Sequence, residues 1–254
     1  MANPKMRLDQ LLVDRGLVES RSKAQALIMA GCVTSESKRL GKPGQQVRTD
    51  IPIDINGQDH PWVSRGGLKL AKGLSEFGID PTGKTGLDLG ASTGGFTDVL
   101  LNNGATKVYA VDVGHRQLAK KLRTDSRVVV MERTNARYLT SEMIPEPIDL
   151  IVCDASFIGL RTLLPAPLAL AARGAVLVAL IKPQFEVGRE RVGKGGVVRD
   201  SALHEEVCES IRNWIECQAE WAVLGVTESP IKGPEGNKEF LIAARRLSSG
   251  DRST

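Results

Sequence analysis

The chain has 254 residues, 41% of them hydrophobic and 25% charged, which are ordinary values for a folded globular protein and exclude a fibrous or disordered one. Its net charge of +4 is uneven, because residues 1–48 carry nine lysines and arginines against four acidic residues. The four cysteines show no metal-ligand spacing, and no signal-peptide pattern opens the chain. We therefore expect a cytoplasmic monomer without a bound metal or a membrane partner, whose basic N-terminal region suits a nucleic acid.

The first predicted unit covers residues 1–60. Two short helical patterns, separated by a glycine, follow one another in RLDQLLVDRGLVESRSKAQALIMAG. Ser22 and Gln25 fit a capping box at the start of the second helix, and Gly31 fits a left-handed residue at its end. Short β-like pieces at 47–48 and 51–55, together with a KPG turn, complete a small α+β unit. The side chains predicted to contact nucleic acid here are Arg7, Arg21, Ser22, Lys23, Gln25, Lys38, Arg39 and Arg48.

The stretch GIDPTGKT at 78–85 matches the phosphate-binding pattern GxxxxGK(S/T). Such a loop must follow a buried strand and open a helix, because nested amides at the helix start hold the phosphates. Here a helical stretch precedes the match and a strand, LDL, follows it. We therefore expect Lys84 to lie in a surface turn, and we predict no hydrolysis of ATP or GTP.

The remainder, residues 61–254, alternates strand and helix patterns, which predicts a doubly wound α/β sheet. Candidate strands lie at 87–89, 107–113, 128–131, 149–154, 175–181, 220–229 and 239–246. Helical stretches near 96–103, 116–124, 161–172 and 201–217 separate most of them. The long apolar tract at 163–181 contains two prolines, an arginine and a glycine, so it indicates a helix, a turn and a buried strand rather than a membrane span.

A glycine-rich loop follows the first of these strands in LDLGASTGGFTD and leads into a helix. Gly90 and Gly94 would let the backbone approach a ligand closely. Asp112 ends the second strand 24 residues after Asp88, near the separation at which an acid accepts hydrogen bonds from ribose hydroxyls. The pattern predicts a cofactor that contains a nucleoside, and the GxxxGG spacing argues against the GxGxxG loop of NAD enzymes.

Family resemblances account for nearly the whole chain. The N-terminal segment, with KPG and DIPIDI, resembles the αL RNA-binding domain found in ribosomal protein S-four, pseudouridine synthases and tyrosyl-tRNA synthetases. DLGASTGGFTDVLL with VDVG resembles the FtsJ-like ribose methyltransferases, which bind S-adenosylmethionine. With WVSRGGLKL, CDASFI, IKPQFE, GKGGVVRD and NKEF in the same order, the chain resembles the TlyA family of rRNA methyltransferases, historically labelled haemolysins.

The resemblance implies a Rossmann-like class I methyltransferase sheet of seven strands with an antiparallel last hairpin. It implies methyl transfer from S-adenosylmethionine to a ribose 2′-hydroxyl of ribosomal RNA, with cytidine as the expected nucleotide. The implied cofactor-binding residues are Asp88, Gly90, Ser92, Gly94, Asp112, Asn135 and Ala136. The implied catalytic tetrad is Lys69, Asp154, Lys182 and Glu239. Lys182 would be the general base or would stabilise the 2′-oxyanion, while Asp154 orients it. Lys69 and Glu239 would hold the ribose.

The segment 183–200 is glycine-rich, charged and long for a connection in a compact domain. It predicts a mobile substrate loop whose RNA-contacting residues are Arg189, Arg191 and Lys194.

Other methyl acceptors fit the sequence less well. Amino-directed methylases place a D/N/S-P-P-aromatic loop where this chain has DASF, and both prolines are absent. Cytosine-carbon methylases use a cysteine after proline, whereas Cys153 follows Val152. Two alternatives to a methyltransferase are an RNA-binding assembly factor with little catalysis and a membrane-active haemolysin.

Overall fold

Two compact units, Met1–Pro61 and Trp62–Thr254, make up the chain. The computed structural model describes residues 4–18, 20–36, 38–55, 60–218, 220–233 and 236–248. The elements of the N-terminal unit are β1 (Lys5–Arg7), α1 (Leu8–Asp14), α2 (Arg21–Ala30), β2 (Val33–Ser35), β3 (Lys38–Arg39), β4 (Gln46–Arg48) and β5 (Asp54–Ile55). β1 pairs with β4, and β2 lies between β3 and β5, with every pair antiparallel. Leu8 and Leu12 of α1 pack with Ile28 of α2 in one small apolar core.

The N-cap of helix α2 lies two residues before the predicted one. Ser20 is its N-cap, and the Oγ of Ser20 accepts a hydrogen bond from the N–H of Lys23 at 3.3 Å. The predicted capping box at Ser22 and Gln25 is therefore wrong, because Ser22 is already inside the helix. Gly31 ends the helix with a φ of 80°, as predicted.

The larger unit alternates strands and helices. Its strands are β6 (Thr85–Leu89), β7 (Lys107–Asp112), β8 (Val128–Glu132), β9 (Ile148–Cys153), β10 (Ala171–Ile181), β11 (Trp221–Glu228) and β12 (Phe240–Arg246). Its helices are α3 (Gly66–Glu76), α4 (Gly95–Asn102), α5 (Lys120–Arg123), α6 (Leu160–Leu163), α7 (Pro165–Ala169), α8 (Pro183–Glu186) and α9 (Ser201–Glu216), with 3-10 turns at Ala136–Tyr138 and Arg189–Arg191.

Within the described residues, seven strands form one sheet in the order β11-β12-β10-β9-β6-β7-β8. The strands from β10 to β8 pair in parallel, whereas β12 is antiparallel to both β10 and β11. Successive side chains face opposite sides of the sheet, so Ile151 joins one apolar cluster and Val152 the other. Both faces are covered, and the predicted seven-stranded sheet with an antiparallel last hairpin is confirmed.

Two helix predictions were too long. The helix predicted at 116–124 is reduced to α5, because Arg116 adopts a left-handed φ of 54° in the preceding turn. The helix predicted at 161–172 is divided into α6 and α7, since Pro165 has no N–H to continue the hydrogen-bond ladder.

Lys84 lies in the turn before β6. Its N–H donates to the carbonyl of Pro81 at 3.0 Å, and the next residue begins a strand rather than a helix. No helix begins directly after the phosphate-loop pattern, so the helix N-terminus that phosphate binding requires is missing there.

Candidate active site

The carboxyl ends of the parallel strands meet at one edge of the larger unit's sheet. Gly90 follows β6, Asp112 ends β7, Asp154 follows β9 and Lys182 follows β10. Glu239 reaches the same edge because β12 is antiparallel and begins where β10 ends. Ligands in such sheets bind at this edge.

The side chains of Lys69, Asp154, Lys182 and Glu239 are joined by ion pairs. Nζ of Lys69 lies 2.7 Å from Oε2 of Glu239 and 3.2 Å from Oδ2 of Asp154. Oδ1 of Asp154 lies 2.6 Å from Nζ of Lys182. Both lysines and Glu239 are buried, so water screens these pairs only weakly. The structure thus brings together all four residues of the predicted tetrad.

Lys182 has a full set of acceptors around its amine. Besides the pair with Asp154, its Nζ donates to the backbone oxygen of Asp154 at 3.1 Å and to Oγ of Ser156 at 2.9 Å. A protonated amine has three N–H groups, so these contacts satisfy it completely. Ser156 was not predicted, because a serine in DASF shows no spacing that distinguishes it from a surface residue.

The position of Lys69 depends on the chain that precedes α3. The N–H of Val63 donates to Oδ2 of Asp98 at 2.7 Å, and Nζ of Lys121 lies 3.0 Å from the same oxygen. Asp98 is buried on α4 and ties this segment to the helix after the glycine-rich loop. A Cβ at Gly95 would come within 2.9 Å of the backbone of α3, so the two helices approach closely.

A cavity of about 530 Å³ lies along the ends of β6, β7 and β8, within the usual range for small-molecule sites. Oδ2 of Asp112 accepts a hydrogen bond from the N–H of Ser92 at 2.8 Å, and Oδ1 accepts one from Gly114 at 2.6 Å. Each carboxylate oxygen keeps a lone pair that could accept a ribose hydroxyl. The predicted cofactor residues that line this cavity are Gly90, Ser92, Asp112, Asn135 and Ala136.

Asp88 and Gly94 do not line this cavity. Oδ2 of Asp88 accepts hydrogen bonds from the N–H and Oγ1 of Thr97 at 2.9 and 2.6 Å. Burial raises the pKa of Asp88 to about 7, although the Thr97 hydrogen bonds oppose this shift. Gly94 has a φ of 96°, and a Cβ there would overlap Leu122. Both residues shape the loop, and their contact with a cofactor stays a prediction.

A second cavity, of about 240 Å³, adjoins the first and is lined by Lys69 and Lys182. The residues that line both cavities are Gly90, Ser92, Asp154 and Ser156. The arrangement can therefore hold two reactants side by side in adjoining cavities, which is the positioning that a transfer reaction needs.

Phe157 stands at the rim of the larger cavity and was not predicted as a site residue. Its side chain is 90% exposed, and its φ of 66° is unusual for an aromatic residue. The Phe157 ring centroid lies 5.3 Å from that of Phe185. An exposed ring beside a nucleotide-sized cavity offers a face for base stacking.

In the N-terminal unit, three predicted RNA-contacting residues surround one buried acid. Oδ2 of Asp9 accepts hydrogen bonds from Arg7 at 2.9 Å, Arg21 at 3.0 Å and Gln25 at 2.9 Å. The Asp9 side chain is fully buried, whereas the two arginines are about half exposed. The Arg7 guanidinium holds the pKa of Asp9 well below its usual range. Asp9 therefore fixes the direction of both arginines.

The other predicted RNA contacts of this unit lie elsewhere on its surface. Lys38 and Arg48 line a cavity of about 370 Å³, in which Arg48 pairs with Asp50 at 2.6 Å. Arg39 donates to the carbonyl of Met29 at 3.2 Å. Ser22 and Lys23 are exposed at the start of α2.

The segment 183–200 is partly folded, with α8 at its start and Val198 buried near its end. Arg191 makes two hydrogen bonds to Glu206, at 2.6 and 2.5 Å, so an RNA contact by Arg191 would require this pair to open. Lys194 is exposed. The side chain of Arg189 lies outside the described part of the chain.

Both units match known protein families. The S4 domain model matches residues 6–50, and the FtsJ-like methyltransferase model matches residues 62–246, which hold the tetrad and both cavities. The chain belongs to the FtsJ-like methyltransferase family. It is an enzyme, and the cofactor of this FtsJ-like methyltransferase is S-adenosylmethionine.

Relatives of this FtsJ-like methyltransferase match along most of its length. YqxC of Bacillus subtilis, labelled as an rRNA methyltransferase, is 49% identical over 246 residues, 95% of this chain and 86% of that protein. The 16S/23S rRNA (cytidine-2′-O)-methyltransferase TlyA of Mycobacterium tuberculosis is 47% identical over 240 residues, 94% of this chain and 89% of that protein. A solved structure of a hemolysin-labelled Streptococcus thermophilus protein has a TM-score of 0.76 at 42% identity and covers 98% of this chain and 90% of that one. The predicted resemblance to the TlyA family is confirmed.

The described residues contain no helix with the length and apolar character needed to span a bilayer.

Proposed function

We propose that this enzyme transfers a methyl group from S-adenosylmethionine to a ribose 2′-hydroxyl of ribosomal RNA, with cytidine as the nucleotide. One observation carries the proposal: ion pairs of 2.6–3.2 Å join the four tetrad residues beside the smaller cavity, and one of the four, Asp154, also lines the larger cavity. The names of two relatives describe rRNA methylation, one of them at a cytidine 2′-oxygen. The proposal places a monomeric enzyme in the cytoplasm, with ribosomal subunits as its partner.

The larger cavity is assigned to the cofactor. Asp112 would accept the ribose hydroxyls, while Asn135 and Ala136 would flank the adenine. Gly90 and Ser92, which line both cavities, would surround the methionine portion. The bound cofactor supplies an electrophilic methyl group on a positively charged sulfur. The Asp112 carboxylate, already held by two backbone N–H groups, needs no rearrangement to accept further donors.

In the smaller cavity, Lys182 acts on the acceptor oxygen. Lys182 would take the hydroxyl proton at Nζ while the methyl group passes from the cofactor's sulfur to the oxygen, which would leave that sulfur as a neutral thioether. The acceptors around Nζ would stabilise the resulting ammonium once one of them gives way to the substrate oxygen. Asp154 supplies two of these acceptors and so orients Lys182. Glu239 holds Lys69 in place, and Lys69 faces the acceptor ribose in the same cavity.

The test is transfer of tritium from labelled S-adenosylmethionine to purified ribosomal subunits, followed by nucleoside mass spectrometry of the digested RNA. We expect label in a 2′-O-methylated nucleoside with the wild-type enzyme and at least about 100-fold less label with Lys182→Ala. Methylation of a base would contradict the proposed acceptor. Tight binding to subunits without transfer would favour an assembly factor instead.

A further inference from the structure

Two sequence motifs of the larger unit, GKGGVVRD and NKEF, meet at a buried asparagine. Asn237 is the first residue of NKEF and is 3% exposed. Its Oδ1 accepts a hydrogen bond from the N–H of Val198 at 3.1 Å, and its Nδ2 donates to the carbonyl of Gly196 at 3.0 Å. The Asn237 side chain therefore ties the end of the glycine-rich segment to the chain that leads into β12.

This contact uses both ends of the amide group of Asn237. An asparagine side chain offers a donor and an acceptor, whereas an ionised aspartate offers acceptors only. On the other side of the segment, Nε2 of the buried His204 on α9 donates to the carbonyl of Val198 at 3.0 Å. Buried side chains thus bind both backbone groups of Val198, and they fix this stretch between α9 and the start of β12.

The chain around Asn237 also encloses the carboxyl group of Glu239. Both residues are buried and Lys238 between them is exposed, which is the alternation of an extended chain. The backbone oxygen of Asn237 accepts a hydrogen bond from the N–H of Gly233 at 2.9 Å. A Cβ at Gly233 would lie 2.1 Å from Oε1 of Glu239, so this glycine packs directly on the carboxyl group. The turn that Asn237 closes is therefore a wall of the space that holds Glu239.

Glu239 depends on this wall because few groups hold its carboxylate. Oε1 has no hydrogen-bond partner among the described residues, and Nζ of Lys69 lies 2.7 Å from Oε2. An ion pair is stronger where water is excluded, so water that reached Glu239 would weaken its attraction for Lys69. The wall at Gly233 therefore determines how firmly Lys69 is held beside the smaller cavity.

We propose that Asn237 is a positioning residue for methyl transfer, which acts through Glu239 on Lys69. The inference rests on the proposed function for the reaction, and the contacts of Asn237 carry it. Asn237 lines neither cavity, so it acts without touching the reactants. Loss of its side chain would release the segment at 196–198 and loosen the turn that seats Gly233 on Glu239.

The first test uses the full chain in the tritium-transfer assay on ribosomal subunits. For Asn237→Ala we expect kcat to fall by about 10-fold or more, because Lys69 is no longer held in its productive position. The KM for subunits and the Kd for S-adenosylmethionine should stay within about 2-fold of the wild-type values. Tyr109→Phe is the matched control, because it removes a hydrogen bond to Glu146 in the same unit away from both cavities. The kcat of this control should stay near the wild-type value.

A double-mutant cycle separates positioning from a general loss of stability. In the Glu239→Gln background, Asn237→Ala should lower kcat by no more than about 2-fold, because the carboxylate that it positions is already absent. Equal falls of kcat in the two backgrounds would overturn the proposal. Asn237→Ser keeps a side chain that can bond to one of the two backbone groups, so its kcat should lie between those of wild type and Asn237→Ala. Circular dichroism checks folding, and Asn237→Ser takes the place of the alanine variant in the cycle if that variant is unfolded.

A second readout does not depend on methyl transfer. Acetylation of Lys69 by acetic anhydride is measured by mass spectrometry relative to Lys72, whose side chain is 36% exposed on the same helix. Acetylation of Lys69 should be faster in Asn237→Ala than in the wild type, since the amine is released from Glu239. An unchanged rate would overturn the proposal. If the rate rises but the wild-type enzyme transfers no methyl group to ribose, only the proposed function fails.

Discussion

Lys69 and Glu239 form an ion pair of 2.7 Å inside the larger unit, although one lies on its first helix and the other precedes its last strand. Oε1 of Glu239 has no hydrogen-bond partner among the described residues, so Lys69 is the main source of compensation for this buried carboxylate. A buried acid with a single cationic partner holds that partner in place, because separating the two would leave an unpaired charge.

The first prediction concerns this pair. Glu239→Gln keeps the shape of the side chain and removes the charge that holds Lys69, so kcat for methyl transfer should fall by about 100-fold. Glu239 lines neither cavity, and the Kd for S-adenosylmethionine measured by calorimetry should therefore stay near the wild-type value. Near-full turnover of the variant would show that Lys69 does not need this partner.

The second prediction separates catalysis from cofactor binding. Lys182→Ala removes the group proposed to take the 2′-hydroxyl proton and should lower transfer by about 100-fold or more. Cofactor affinity should be retained, because Lys182 lines only the smaller cavity. Lys238→Ala is the matched control, since Lys238 is exposed and pairs with Glu228 at 3.3 Å. If both variants behave alike in the tritium assay, Lys182 is not the reacting lysine.

The third prediction concerns Asp9 in the N-terminal unit. Asp9→Asn removes the charge that orients Arg7 and Arg21 and should destabilise the unit by about 1–3 kcal/mol. Rotation of the two arginines should also weaken rRNA binding, as measured by filter retention. Asp14→Asn on the same helix serves as the control, because Asp14 is exposed and its side chain accepts a hydrogen bond from Gln10 at 2.8 Å.

The contribution of Asp9 to the free energy of unfolding should depend on pH in a definite direction. The folded state lowers the pKa of Asp9, so its stabilisation is present above the unfolded pKa of about 4 and is lost as pH falls further. Thermal unfolding at pH 7 should therefore separate wild type from Asp9→Asn. Identical unfolding temperatures there would contradict the role given to Asp9.

The fourth prediction concerns Asp88, whose pKa is raised to about 7 by burial. Between the unfolded pKa near 4 and pH 7 the folded chain binds more protons than the unfolded chain, so its free energy of unfolding should fall as pH rises. Asp88→Asn removes this titration and should flatten the dependence by up to about 1.4 kcal/mol per pH unit. Urea unfolding at pH 5, 6 and 7 measures the free energy of unfolding of both proteins. If that free energy changes equally with pH in the wild type and in Asp88→Asn, the raised pKa of Asp88 is contradicted.

Strands and strand-end residues were predictable because their signals are local. Apolar runs marked every strand of the large sheet, and the parallel order placed Asp154 and Lys182 at one edge without any coordinates. The family resemblance supplied all four tetrad residues, and Lys69 is the one that no strand end places at this edge. The exact start of helix α2 was harder to predict, because Ser20 and Ser22 are both serines and suit the N-cap position equally well.

Residues whose role depends on an ion pair or hydrogen bond with a distant residue could not be identified from the sequence. Asp9 and Asp98 look like ordinary surface acids, and only the fold shows that both are buried among donors. Likewise, nothing in the sequence distinguishes Arg116 from Arg123, because the difference between them is whether an acid lies within reach. Charge pairing is a property of tertiary structure, whereas strand ends follow from patterns along the chain.

The residues common to both cavities also have a thermodynamic consequence. Ser156 accepts a hydrogen bond from Lys182 and lines both cavities, so a shift of this residue changes the two cavities together. With the cofactor and RNA in the two cavities as proposed, their affinities should be coupled. By reciprocity, the factor by which RNA changes the affinity for the cofactor must equal the factor by which the cofactor changes the affinity for RNA.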